Sequence, residues 1–205
     1  AAFIAEPVVG SAGGAMVPPD DYWPRVREIC NRHGILLIAD EVMTGFGRCG
    51  EWFAWQRFGD EGRPDMMTLA KGLTGAHIPL GAVVMSAEVA AKLEHEMLYT
   101  GLTYCGHPLS CAAGVAAVEA YEAEGLIERS RRLGGDMFSA LRSMQQRHAV
   151  MGDVRGGHGL FAVVEFVEDR ATRAPLAPWP QVPALLRSIV RDGLVDAKFL
   201  SERAA

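Results

Sequence analysis

The sequence predicts an α/β fold, with a mostly parallel sheet, flanking helices and a smaller α+β domain after it. Three observations carry that expectation. The apolar run Phe3 to Ala5, a helical stretch after Asp20-Asp21 and the apolar run Ile35 to Ala39 follow one another as strand, helix, strand, the unit that builds parallel sheets. Ile35 to Ala39 is apolar at every position, as in a strand covered by helices on both faces. The chain has 205 residues, 49% of them apolar, enough to bury one large domain or a domain and a half.

Each element has a local reason. Phe3 to Ala5 ends at Glu6-Pro7. Asp20-Asp21 with Pro24 is a helix start, because an acid can cap and proline suits the first turn. Val26, Ile29, Cys30 and His33 then fall on one helical face, and Gly34 is the stop. Met66 to Ala70 is a third strand after Pro64-Asp65, with Lys71 at its end. Ala82 to Met85 is a fourth strand, and Glu88 to His95 a helix. Pro108 opens a long helix of small residues to Tyr121, suited to lying close against a neighbour. From Leu126 a second long helix carries Leu133, Met137, Leu141 and Met144 on one stripe. The chain turns on Gly156-Gly157 into a strand, Leu160 to Val167. A Pro-rich loop, "TRAPLAPWPQVP", precedes a last helix, Val182 to Val190. Composition changes near Gly125, so the expected domains are residues 1–125 and 126–205. The chain opens within a strand and closes on "DGLVDAKFLSERAA" without a clear final element. Domains normally begin and end in polar chain, so the reading is a fragment.

Composition narrows the function classes. A net charge of -5 with no long basic run argues against nucleic acid and anionic membranes as partners. No apolar run approaches the length of a transmembrane helix, and none has the pattern of a signal peptide. Cys30, Cys49, Cys105 and Cys111 show no CxxC spacing, so free thiols in a reducing cytoplasm are expected rather than a disulfide framework or a metal site. Cys105 and Cys111 read as packing residues, and His107 as a hydrogen-bonding residue at a helix entry.

Ligands of open α/β sheets sit beyond the carboxyl ends of the strands. Glu6, the pair Asp40-Glu41 and Lys71 occupy such ends. Taken singly, the acids cap or pair and the lysine reaches solvent. Their convergence on one sheet edge suits pyridoxal phosphate, whose aldehyde needs a lysine amine and whose ring nitrogen needs a carboxylate to stay protonated. A desolvated amine is also the better nucleophile, since burial disfavours its charged form.

"FIAEPVVGSAGGAMVPP", "LLIADEVMTGFGRCGEWFA", "PDMMTLAKGLTGAHIPLGAVVMS" and "LTYCGHPLSCAAGVAAVEAYEAEGL" together resemble the class III (omega-) aminotransferases among the fold-type I pyridoxal phosphate enzymes. The resemblance runs from Ala1 to about Val167 and preserves the order and gaps of the blocks. It implies that residues 1–125 are the C-terminal part of the cofactor-binding large domain and that 126–205 are a small, incomplete one. Lys71 would form the Schiff base and shuttle the proton. Asp40 would pair with the pyridinium nitrogen, and Val42 would pack on the ring. Thr103 would reach the cofactor phosphate across a homodimer interface, while Glu6 and Glu41 would orient neighbours. "TGFGRCG" resembles the family's loop beside the active site.

The implied reaction moves an amino group from an amine or omega-amino acid to a 2-oxo acid such as pyruvate. Ser11 stands where ornithine- and GABA-type members have a glutamate, which favours the pyruvate branch. The family's upstream phosphate loop and its late substrate-binding arginine have no match here, so the chain alone is expected to be inactive. Two alternatives remain open: an aminomutase of the same family, and a non-catalytic fragment that only pairs with a partner chain.

Overall fold

The computed structural model describes residues 1–177 apart from 11, 96 and 98. Ser11 and the expected helix Val182 to Val190 lie outside the described residues. The chain divides into two compact units. Among the described residues, one holds 1–137 with 156–162 and the other holds 138–155 with 163–177.

The first unit is built on a four-stranded sheet in the order β1 (Ala2–Ala5), β2 (Leu36–Asp40), β3 (Met66–Leu69), β4 (Ala82–Met85). β1, β2 and β3 are parallel, with Ala5 beside Ala39 and Asp40 beside Thr68. β4 is antiparallel to β3. The α/β reading with a mostly parallel sheet therefore holds. Helix α1 (Tyr22–His33) makes the crossover from β1 to β2 and ends on Gly34, which takes the left-handed conformation (φ 61°) that glycine adopts without a Cβ penalty.

Two local expectations for α1 need correction. Asp21 stands at the N-cap, but its side chain makes no cap bond and pairs instead with Arg25. The buried face is also set one notch away from the expected one. Trp23 and Cys30 are buried with Leu37, Ala39 and Phe58, and Val26 packs against them. Ile29 is 49% exposed, and His33 is exposed. Among the described residues, Trp23 is the largest fully buried side chain, and it moves the buried face to the side of the helix away from Ile29.

Helix α2 is Ala87–Leu93, started by Ser86, whose hydroxyl accepts from the Val89 N–H. Helix α3 is Pro108–Ala123, with proline in its first turn. Its small residues matter. Gly114 lies so near Leu80 that a Cβ there would sit 3.2 Å from Leu80 Cδ2. Helix α4 is Leu126–Arg147; the expected boundary near Gly125 falls at the turn before it, and the division between the units falls within it. Of its expected apolar stripe, Met137 and Leu141 are half-buried, whereas Leu133 and Met144 are 36% and 40% exposed. Among the described residues, no helix is long and apolar enough to cross a membrane.

The second unit carries a sheet in the order β5 (Met151–Gly156), β6 (Ala162–Asp169), β7 (Ala174–Pro175). The expected strand begins two residues later than its apolar run suggested, because the residues before it turn back: the Gly157 N–H bonds the Phe161 carbonyl. β5 had no alternating pattern to announce it. β7 forms inside the Pro-rich stretch and pairs with β6 at Val167 and Asp169. Arg170 closes the end of α4 by donating to the carbonyls of Gln145, His148 and Met151.

Candidate active site

The parallel strands end on one edge of the first unit's sheet and deliver Glu6, Asp40, Glu41 and Lys71 there. A cleft of about 1190 Å³ opens at that edge, lined by Val42, Lys71, Thr74, Tyr104, His107 and Ser110 among others. Lys71 is the amine of this cleft. It begins a 3₁₀ turn, Lys71–Thr74, directly after β3. Its backbone takes φ 42°, an uncommon conformation for a residue with a Cβ.

Asp40 ends β2 half-buried. Its Oδ1 accepts from the Val42 N–H at 3.0 Å, which locks the turn that places Val42 on the cleft wall. Its other oxygen takes no hydrogen bond among the described residues. Thr68, Asp40's register partner on β3, has a buried hydroxyl that also lacks a partner there. An uncommitted carboxylate oxygen and an orphaned hydroxyl on neighbouring strand ends mark polar capacity that a ligand can use.

Glu41 turns the other way. It is fully buried. It accepts from Thr44 Oγ1 at 2.5 Å, the Ala54 N–H at 3.0 Å and the Trp55 N–H at 2.9 Å. Burial pushes its carboxyl above the ordinary range, against the pull of those three donors, and the neighbouring Asp40 charge pushes the same way. The carboxylate ties both ends of the loop 41–55 together. Glu6 accepts from the Gly10 N–H at 2.9 Å, and so shapes the chain just after β1.

The glycine loop is held internally. The Phe46 N–H bonds the Trp52 carbonyl, and the Gly47 N–H bonds that of Glu51. Gly47 (φ 84°) packs on Ile127, and a Cβ there would lie 2.8 Å from Ile127 Cδ1. The Ser130 hydroxyl donates to the Gly47 carbonyl at 2.6 Å. Cys49 lies buried beneath the loop, its thiol pushed up to about 12 by burial first and by the Glu41 charge second.

Thr103 is placed differently. It is exposed, and its neighbours Leu102, Tyr104, Cys105 and Gly106 line the cleft while Thr103 itself does not. His107 stands at the N-cap of α3 but its side chain makes no cap bond; the ring lies 6.5 Å from that of Tyr104. Cys105 and Cys111, expected as packing residues, are both exposed. Sequence reasoning missed Tyr104 and Ser110 as cleft residues. Their only signal was adjacency to the "CGHP" turn.

A protein-family model, "Aminotransferase class-III", matches residues 1–197. The chain belongs to the class-III aminotransferases. Among curated class-III relatives, it is 42% identical over 174 residues to a putrescine–pyruvate aminotransferase of Pseudomonas aeruginosa, covering 84% of this chain and 37% of that protein. It is 43% identical over 204 residues to an omega-aminotransferase of Caulobacter vibrioides, covering 95% and 43%. Among solved structures, it matches the taurine:2-oxoglutarate aminotransferase of Bifidobacterium kashiwanohense, crystallised with pyridoxal phosphate and glutamate. That match has 40% identity and a TM-score of 0.82, and covers 94% of this chain and 43% of that one. The chain thus spans less than half the length of these class-III relatives. Class-III aminotransferases are pyridoxal phosphate enzymes of fold type I, and the donor set here fits that cofactor: an amine on the cleft, a carboxylate with a free oxygen and an apolar wall.

Proposed function

We propose that this chain carries the lysine-bearing part of an aminotransferase that moves an amino group from an amine or omega-amino acid to a 2-oxo acid such as pyruvate. The observation behind the proposal is the edge where β2 and β3 end: Lys71 on the cleft, Val42 beside it, and Asp40 at the end of the parallel neighbour. Pyridoxal phosphate, when bound, supplies the electron sink that makes a substrate's α-proton removable. The chain's own groups do the rest. Lys71 Nζ would hold the cofactor, and would take up the substrate proton and return it. The Asp40 carboxylate, fixed in place by its bond to the Val42 N–H, would hold a proton on the ring nitrogen. Val42 gives the ring an apolar face and keeps water from it. Thr103 would donate to the phosphate from a partner protomer of a homodimer. Glu6 and Glu41 hold the backbone on either side. The relatives named as pyruvate aminotransferases support that acceptor. The cysteines, all free thiols, suit a reducing cytoplasm.

Because the chain spans less than half of its relatives, turnover is proposed for a polypeptide of their length. Borohydride trapping with pyridoxal phosphate, followed by peptide mapping, tests the assignment on the chain itself. Label at Lys71 is the expected result; label at Lys92 or Lys198 instead overturns it. In a full-length enzyme, Lys71→Ala abolishes amine-dependent conversion of pyruvate to alanine. Asp40→Asn keeps cofactor binding but loses rate on the order of 10²-fold, since an amide cannot hold the ring nitrogen protonated. Turnover that needs no external acceptor would point to an aminomutase.

A further inference from the structure

The functional lysine sits in a backbone conformation that needs support. At φ 42° its Cβ crowds the backbone, a strain that surrounding structure must offset. The turn that follows is short and is held at both ends: the Ala76 N–H bonds the Lys71 carbonyl at 3.3 Å, and the Thr74 hydroxyl donates to the Ile78 carbonyl at 2.7 Å. The Leu73 N–H bonds the Ala70 carbonyl at 2.9 Å, and the Gly75 N–H bonds the Gly72 carbonyl at 3.0 Å. One more bond comes from far along the chain. The Tyr121 hydroxyl, on α3, donates to the Gly72 carbonyl at 2.9 Å.

Tyr121 is well placed to do this. Its ring stacks on Phe46 at 5.9 Å between centroids and meets Trp52 edge-on at 6.0 Å. Phe46 in turn presses on the same turn: a Cβ on Gly72 would lie 2.8 Å from Phe46 Cβ. The glycine loop, α3 and the lysine turn therefore meet at Gly72, one residue after the amine. Burial raises the Tyr121 phenol above its ordinary value, so it remains a donor through the neutral range.

We propose that Tyr121 is a positioning residue for Lys71, holding the lysine turn by its hydrogen bond to the Gly72 carbonyl and so aiming the amine into the cleft. The proposal rests on the reading of Lys71 as the cofactor amine. Tyr121 touches no reacting atom; it acts through the backbone. A tyrosine that served only to fill space would be replaced by phenylalanine without local consequence, since both rings pack alike against Phe46 and Trp52.

The test uses the full chain with Tyr121→Phe. Amide hydrogen exchange is followed at Leu73 and Gly75, with the amides of α1 as an internal reference. Pyridoxal phosphate is trapped with borohydride, and the ratio of label at Lys71 to label at Lys92, exposed helix α2's lysine, is measured. The expected result is exchange about fivefold faster in the lysine turn, unchanged exchange in α1, and a Lys71-to-Lys92 ratio about fivefold lower, the factor carried by one net hydrogen bond. Tyr121→Met, which removes the hydroxyl and keeps apolar bulk against Phe46, should lower the ratio likewise and stands in if Tyr121→Phe fails to fold. Unchanged exchange in the turn, a change shared with α1, or faster exchange with an unaltered ratio each overturn the proposal. Equal labelling of Lys71 and Lys92 in the unmodified chain is a separate signal. It overturns the functional reading itself, and the proposal with it.

Discussion

Two segments border the cleft, and they are built in opposite ways. The loop 41–55 is closed on itself. Glu41 satisfies three donors at once, Phe46 and Gly47 bond back to Trp52 and Glu51, and Cys49 and Ala54 are buried beneath. The segment 99–107 faces outward. Tyr99 is 93% exposed, and Leu102 and Tyr104 are each 81% exposed. A protein that spends buried carboxylate and aromatic packing on one loop, and leaves large apolar side chains uncovered on the other, separates two tasks. The first loop is a fixed wall that the chain stabilises alone. The second is a surface whose apolar groups suit a further protein layer, in keeping with the proposed homodimer in which Thr103 reaches across.

The largest contrast should appear in thiol chemistry. Cys49, buried with its thiol near 12, should react with iodoacetamide at pH 8 on the order of 10³-fold more slowly than exposed Cys105, since only the thiolate attacks. Peptide-resolved alkylation rates measure this. Comparable rates would mean that the loop opens readily and is no fixed wall.

Removing the loop's central acceptor comes next. Glu41→Ala leaves one hydroxyl, one buried and one half-buried N–H donor without their partner, and should cost about 3 kcal/mol or more of stability in urea unfolding. A loss below about 1 kcal/mol would show that water replaces the carboxylate without difficulty.

The pH dependence follows from the same residue. Burial raises the Glu41 carboxyl in the folded state above its ordinary 4.5, so the folded chain binds this proton more tightly than the unfolded one. Its contribution to stability is fully present below the unfolded value and is lost as pH rises through the folded value. Urea midpoints of Glu41→Gln should lack that downward step, and the difference from the unmodified chain should change as pH rises above 4.5. A parallel pair of curves would contradict the raised carboxyl.

The smallest effect is expected on the outward segment. Tyr104→Ser should change stability by no more than about 0.5 kcal/mol, as exposed substitutions do, yet reduce any self-association seen by sedimentation. A large loss of stability would mean that the segment is held within the chain after all.

Much of this was legible in the residues. The strand ends, the crossover, Gly34 as the helix stop and the placing of Asp40 and Lys71 on one edge follow from local signals: apolar runs, glycine, and the rule that parallel strands deliver their carboxyl ends together. β5 and β7 were not legible, because neither alternates and β7 lies among prolines; pairing with β6 creates β7. The buried face of α1 was misjudged by one notch, because period alone cannot weigh Trp23 against Ile29; the space beside Leu37 and Phe58 decides that.

The sequence by itself determined the α/β class, the family and the edge on which its charged groups gather, since those depend on short-range pattern and on the order of motifs. Only the tertiary structure decided what each of those groups does with its neighbours. Asp40 and Glu41 are adjacent carboxylates at the end of one strand, and their position alone does not say which donors each will meet. One ends a strand with a single oxygen bonded, to the Val42 N–H, and the other is buried among donors from a loop more than ten residues away. Likewise nothing near Lys71 in the chain names Tyr121, 49 residues from the carbonyl it holds. Such pairings arise because a polar group taken from water must find its partner wherever packing brings one, and packing is settled by the whole chain.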